Sequence, residues 1–452
     1  MTRRRAAIGA IVAAAAAVAA MATLHDAEAQ RIDPRRPTVL VVGTPPGASP
    51  MQRVDARRTG VAKAPLPSGP LRIAWRKTTG LTLDQPALSG ADGTLAVVSV
   101  RGDVSFLDTD GDERATVKVG AAQVGPAAMT SDGTVVYMTS AGDVVGVRRP
   151  SPQPRFSTRI GGERNVRAAP LSLDDGGVVI ATMTDLVVLD SEGNVRSRVG
   201  LPETPAAPLV AAGDKVLAIT SSGTVYGWAP GREPVRLGSF GAPIDGGAVL
   251  TEGGALVAVI EGNHLAEVDI VRGGRSTRSI SSQGLYLGPP SVRSGSSGTS
   301  TATLLALTQS HGFVLTLDPS GQELLRAPIA SFTPTVLPDG GAPPLVAPPH
   351  VGPLVDTRGA VAFAATDGHI GVVGPEGAVD TIGELLCTKG VRSGVVGLTP
   401  FGAGSFAVTC DGGIVARITG RSPDALRPRP PGPSGSGDPS KLRPDPRDSS
   451  EN

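Results

Sequence analysis

Few residues in this 452-residue chain are of a type and spacing that does chemistry. Five histidines occur: His25, His264, His311, His350 and His369. Three of them flank short turns, as Asn263-His264, His311-Gly312 and Gly368-His369. Equivalent positions on packed sheets lie about 10 Å apart, too far for one metal ion to join them easily. No H-E-x-x-H or paired-cysteine motif supports zinc, so these histidines read as turn residues that tolerate unusual φ. The segment Asp108-Thr-Asp-Gly-Asp-Glu113 has the look of a calcium loop. An EF-hand, however, needs Gly at position 6 and Glu at position 12, where this chain has Glu113 and Val119. An Asp-initiated turn closed by Gly111 is the simpler reading. Cys387 and Cys410 are the only cysteines, 23 positions apart. In an exported chain they could form a disulfide; the alternative is two small buried residues on neighbouring strands. No G-x-S-x-G, P-loop or dinucleotide fingerprint stands at a strand-to-helix junction.

The elements that carry these residues repeat. Pro86 to Gly111 (PALSGADGTLAVVSVRGDVSFLDTDG) is followed by similar units at Pro126 to Val147, Pro170 to Gly193 and Pro208 to Gly231. The turns between the second and third strands fall near Gly102, Gly142, Asp185, Gly223, Asn263, Gly312, Gly368 and Gly412. Gly and Asn supply the positive φ that tight hairpins need. The strands are β-branched, nearly continuous apolar runs, as expected when both sheet faces are buried. Four-stranded units repeating every ~40 residues predict an all-β β-propeller, of eight blades or alternatively seven. The last repeat has three strands, Val395 to Thr399, Ser405 to Cys410 and Ile414 to Thr419, and then a polar tail. The strand from Leu71 to Lys77 has no blade of its own. It is expected to complete the last blade and close the ring.

Residues 1–29 read as a signal peptide: Arg3 to Arg5, an apolar run from Ile8 to Ala22, and Ala27-Glu-Ala29 before Gln30. The run is shorter than the ~20 residues that span a bilayer. Residues 30–70 are expected to form an extended N-terminal arm on the surface, 71–420 the propeller, and 421–452 a disordered Pro/Arg/Ser-rich tail. The largest departure from the period is the Pro-rich insertion Phe332 to Val351. It is the candidate interaction loop, with Phe332, Pro334, Pro338, Asp339, Pro348 and His350 as its representative residues.

The repeats resemble the pyrroloquinoline-quinone-type β-propeller family. The resemblance rests on the turns Phe106 to Gly111 (FLDTDG), Val188 to Gly193 (VLDSEG) and Thr316 to Gly321 (TLDPSG), and on the leading segment Met51 to Gly60 (MQRVDARRTG) with Trp75. The family usually carries a blade-docking Trp four residues after the turn glycine; here those positions are Ala115, Ser197 and Leu325. Its quinoprotein dehydrogenases carry an adjacent Cys-Cys pair, a stacking Trp and a calcium ligand set with a catalytic Asp. This chain has no Cys-Cys and no local Glu/Asn/Asp cluster. The resemblance therefore implies the noncatalytic branch, which works as a docking platform, with no catalytic residue, cofactor or metal.

Lys and Arg (42) nearly balance Asp and Glu (41), which gives no surplus for nucleic acid. Aromatics, at 3%, are too scarce for stacking platforms. The expected function is an exported, periplasmic or extracellular monomer that binds an unidentified envelope or secreted protein through its loops. The alternative is a degenerate quinoprotein-like enzyme, or a hydrolase with active residues spread across blades.

Overall fold

The computed structural model describes residues 48–161, 168–279, 285–294, 300–307, 311–331, 351–364, 369–382, 386–387 and 394–421. They form eight sheets arranged as a ring of antiparallel four-stranded blades. Blades 1 to 7 span 88–117, 123–159, 171–200, 210–239, 244–279, 285–331 and 354–381. Blade 8 takes its three inner strands from Val395–Pro400, Ser405–Cys410 and Ile414–Arg421. Its outer strand is Ser68–Thr78, antiparallel to Ile414–Arg421 with Ile73 opposite Ile418 and Thr78 opposite Ile414. The closure expected from the three-stranded last repeat is therefore the closure observed, with a strand three residues longer at its start. Among the described residues no helix is long and apolar enough to cross a membrane.

The repeated sequence explains the core. The second and third strands of a blade, such as Leu95–Val98 and Val104–Leu107, are buried on both faces. Each face contributes to a different interface. The apolar residues accordingly segregate into eight clusters, one for each pair of neighbouring blades, including blade 8 against blade 1 through Phe401, Leu83 and Val97. Side-chain bonds reinforce that last seam: Ser89 Oγ donates to Pro400 O and Thr399 Oγ1 to Ala87 O.

The turns follow one chemistry. Asp108 Oδ1 accepts the amides of Asp110 and Asp112; Asp190 and Asp318 do the same for residues two and four positions on. The second oxygen of Asp108 is held by Arg114. The segment read as a calcium look-alike is thus an Asx turn whose carboxylate is occupied by the protein itself. Gly111 closes it at φ 82°.

The Cys387 and Cys410 sulfurs are bonded, with Cα atoms 5.6 Å apart and both residues buried between blades 7 and 8. Replacing both by Ser is expected to cost about 2–4 kcal/mol, from the freed 23-residue loop. Unreduced peptide mass spectrometry of the native chain should find the linked pair; two free thiols would remove the basis of that figure.

Candidate functional site

A blade's innermost strand leaves one edge of N–H and C=O groups facing the ring axis, where nothing in its own sheet can pair them. Residues 48–66 supply the partners. The Ser49 and Ser89 backbones exchange two hydrogen bonds on blade 1, and Met129 N donates to Pro50 O on blade 2. The amides of Ala211, Leu250, Val292 and Val355 then donate to the carbonyls of Ala56, Arg57, Thr59 and Gly60, on blades 4, 5, 6 and 7. Val61–Ala62 adds a short parallel pairing to Leu354–Asp356, and Gly404 N on blade 8 donates to Pro65 O. The segment visits these blades in chain order. Blade 3 is reached by a side chain: Arg58 donates from Nη2 to Pro170 O (2.7 Å) and Ala169 O (3.4 Å), from Nε to Leu209 O, and from Nη1 to Gln52 O. Every blade is thus bound to one strand of chain lying in the channel.

This corrects the expectation of a surface arm for the described part of 30–70. The physical reason is an alternation: Val54, Ala56, Arg58, Gly60, Ala62, Ala64 and Leu66 are buried, while the residues between them are at least partly exposed. Among the described residues Arg58, 1% exposed, forms no ion pair with a carboxylate. Carbonyls carry its desolvation instead, through the four bonds above. Arg53 works the same way on the other side, donating to Pro353 O (3.0 Å), Pro290 O (2.5 Å) and Ser291 Oγ (2.8 Å). Burial lowers both guanidinium pKa values to about 10, with Asp55 opposing the shift. Both arginines are therefore cations at neutral pH. Pro170 and Pro353 immediately precede inner strands and Pro290 lies within one; proline cannot donate, and the carbonyls of all three accept from the arginines.

The seated segment is strained. Arg53, Val54 and Arg58 have φ of 65°, 77° and 59°, a region costly for non-glycine residues and most of all for a β-branched one. Asp55 ties the segment to itself by accepting the Thr59 amide and hydroxyl. Asp356, fully buried, anchors the exit by accepting from Leu66 N, Ala360 N and the Arg358 guanidinium.

No protein-family profile and no curated protein sequence matches this chain. Solved structures do. BamB from Moraxella catarrhalis superposes with a TM-score of 0.52 at 15% identity, over 78% of this chain and 98% of that one. A quinohemoprotein alcohol dehydrogenase from Comamonas testosteroni gives 0.56 at 13% identity, over 83% and 82%. Another from Pseudomonas putida HK5 gives 0.57 at 12%, over 85% and 82%. The fold is the PQQ-like β-propeller.

In three places a side chain on the outer strand of one blade covers the turn glycine of the next, at Trp75, Phe156 and Leu325, and the last is a position the repeat turns point to. Trp75, on the closing strand, lies over the Gly111 turn of blade 1 and donates from Nε1 to Thr109 O (2.8 Å). A Cβ on Gly111 would fall 2.7 Å from the indole. Phe156 covers Gly193 in the same way, and Leu325 approaches Gly377. The signal was the period itself: Trp75 stands on the outer strand of the blade preceding the turn it covers.

His264 starts the third strand of blade 5, the backbone of His311 starts that of blade 6, and His369 immediately precedes that of blade 7. The three occupy equivalent positions in successive blades. Phe332, Pro334, Pro338, Asp339, Pro348 and His350 lie outside the described residues; Val351, the last residue of the insertion, is buried in the apolar cluster that also holds Val54 and Leu354.

Proposed function

We propose that this protein is an exported, noncatalytic propeller that binds an envelope or secreted protein through its loops. The observation that carries this reading is the seating of residues 48–66 along the ring axis, hydrogen-bonded to the inner edge of the blades. The blade faces are consumed by eight interfaces, and the axis is filled by the chain itself. Loops and outer strand edges remain as the surfaces that could dock another protein. The face carrying the second-to-third strand turns, together with the insertion 332–351, is the proposed docking surface, because that insertion departs furthest from the period. The fold likeness to BamB fits a platform role. Shortening the insertion to the length of the other inter-blade connections should leave the melting temperature unchanged and abolish recovery of a copurifying envelope protein. An unchanged set of partners would refute the assignment of that face.

The likeness to two quinohemoprotein alcohol dehydrogenases favours a second reading, a quinone-dependent enzyme. Purified protein incubated with pyrroloquinoline quinone and calcium separates the two. A scaffold loses the quinone absorption band on dialysis and oxidises no alcohol; an enzyme retains the band.

A further inference from the structure

The alternation that buries one side of the channel segment presents its other side at the channel mouth, on the face carrying the first-to-second strand turns. There Asp55, Arg57, Thr59, Val61 and Lys63 form the floor of a cavity of about 310 Å³, walled by Arg293 of blade 6 and Glu252 of blade 5. Arg57, Lys63 and Arg293 bring three cationic groups to one hollow. Among the described residues none of the three has a carboxylate within ion-pair distance; Arg293 donates only to Thr357 O (3.2 Å). The first carboxylate, Asp55, is occupied by the Thr59 amide and hydroxyl, and Glu252 is the second. Ser294, Thr251 and Thr357 also line the cavity.

We propose that this cavity is an anion-binding site for a compact phosphate- or carboxylate-bearing molecule. Three cations that converge on one concavity repel one another until an anion joins them. Their backbones do not have to move to receive it. Arg57 O is pinned by Leu250 N, Thr59 O by Val292 N, and Val61–Ala62 pairs with blade 7 immediately before Lys63. A guanidinium gives planar, two-pronged donation to phosphate or carboxylate, and an ammonium adds a point charge. Compactness follows from the volume and from the rest of the face. Asp92, Asp132 and Asp174, at equivalent turns of blades 1 to 3, surround a separate hollow. A long polyanion would meet them. The site therefore selects a small anion, and it stands independently of whichever protein the loops bind.

The test uses the full mature chain with inorganic phosphate and succinate, against sodium chloride at matched ionic strength. Both anions are expected to raise the melting temperature in a saturable way, with a dissociation constant from calorimetry. Lys63→Gln and Arg293→Gln should each weaken binding at least tenfold while leaving the melting temperature without anion within 2 °C. Arg198→Gln, on an outer strand, should bind as the native chain does. A preference for one anion assigns the chemistry of the ligand. Equal effects of chloride, or equal binding by all variants, would overturn the site. If a variant is destabilised, Lys63→Arg keeps the charge and should restore binding. Partner recovery that persists in an anion-blind variant would leave the docking role standing.

Discussion

Removing every residue before Thr79 is expected to leave no cooperatively folding monomer. The deletion takes away the outer strand of blade 8 and the segment along the axis together. Ile414–Arg421 then becomes a bare edge, the disulfide-bearing blade loses its cover, and Trp75 no longer sits on Gly111. The inner-edge amides of Ala211, Leu250, Val292 and Val355 lose their acceptors at the same time. Each buried group left unpaired costs about 1–3 kcal/mol, and a domain's whole stability is about 5–15 kcal/mol. Circular dichroism through a urea titration, with size exclusion, should show a loss of the sigmoidal transition and self-association through open edges. A second variant, lacking only 48–66, keeps the closing strand and separates the two contributions. It should unfold cooperatively at a lower midpoint. If the chain beginning at Thr79 melts like the full-length protein, ring closure through Ser68–Thr78 is wrong.

The second large effect is expected from one side chain. Arg58→Met should destabilise the protein by about 3–5 kcal/mol, because it strands carbonyls on blades 3 and 4 and the carbonyl of Gln52 in a buried place. Methionine matches the aliphatic stem, so lost packing contributes little. Arg58→Lys should recover only part of the loss, since one ammonium cannot reproduce a planar fork that spans Leu209 O, Pro170 O and Gln52 O. Arg57→Met, one position away on the solvent side, should change the midpoint by less than about 0.5 kcal/mol. Equal urea midpoints for Arg58→Met and Arg57→Met would contradict the seating of this segment.

The ring was legible in the sequence because turn chemistry survives where packing residues vary. Gly102, Gly142 and Gly223 mark the hairpins, and Asp108, Asp190 and Asp318 mark the last turn of their blades. The closing strand was legible by subtraction, since Ile414 to Thr419 had no successor. The channel segment was not. Four of its seven alternating buried positions are Ala or Gly, which carry little hydrophobic signal, and the largest of the seven, Arg58, is a cation. A period of two is present from Val54 to Leu66, but Arg58 interrupts it and the adjacent Arg57 hides it. What decides that Arg58 goes inside is a set of carbonyls at Gln52, at Ala169-Pro170 and at Leu209, and no local window contains all three stretches.

Order of appearance during synthesis gives the axial segment a further consequence. Residues 48–66 are made before any blade, yet their partners are spread from Ser89 to Gly404, and Ser68 pairs with Arg421. The first part to emerge can therefore be seated only after the last. Until then the partial ring carries open inner edges and an unfilled seam between blades 8 and 1. Contacts of such long sequence separation fold slowly and leave strand edges exposed meanwhile. The polypeptide must be held apart from its neighbours for its whole length before it can lock, and once locked, both ends of the folded part are fastened in a single step.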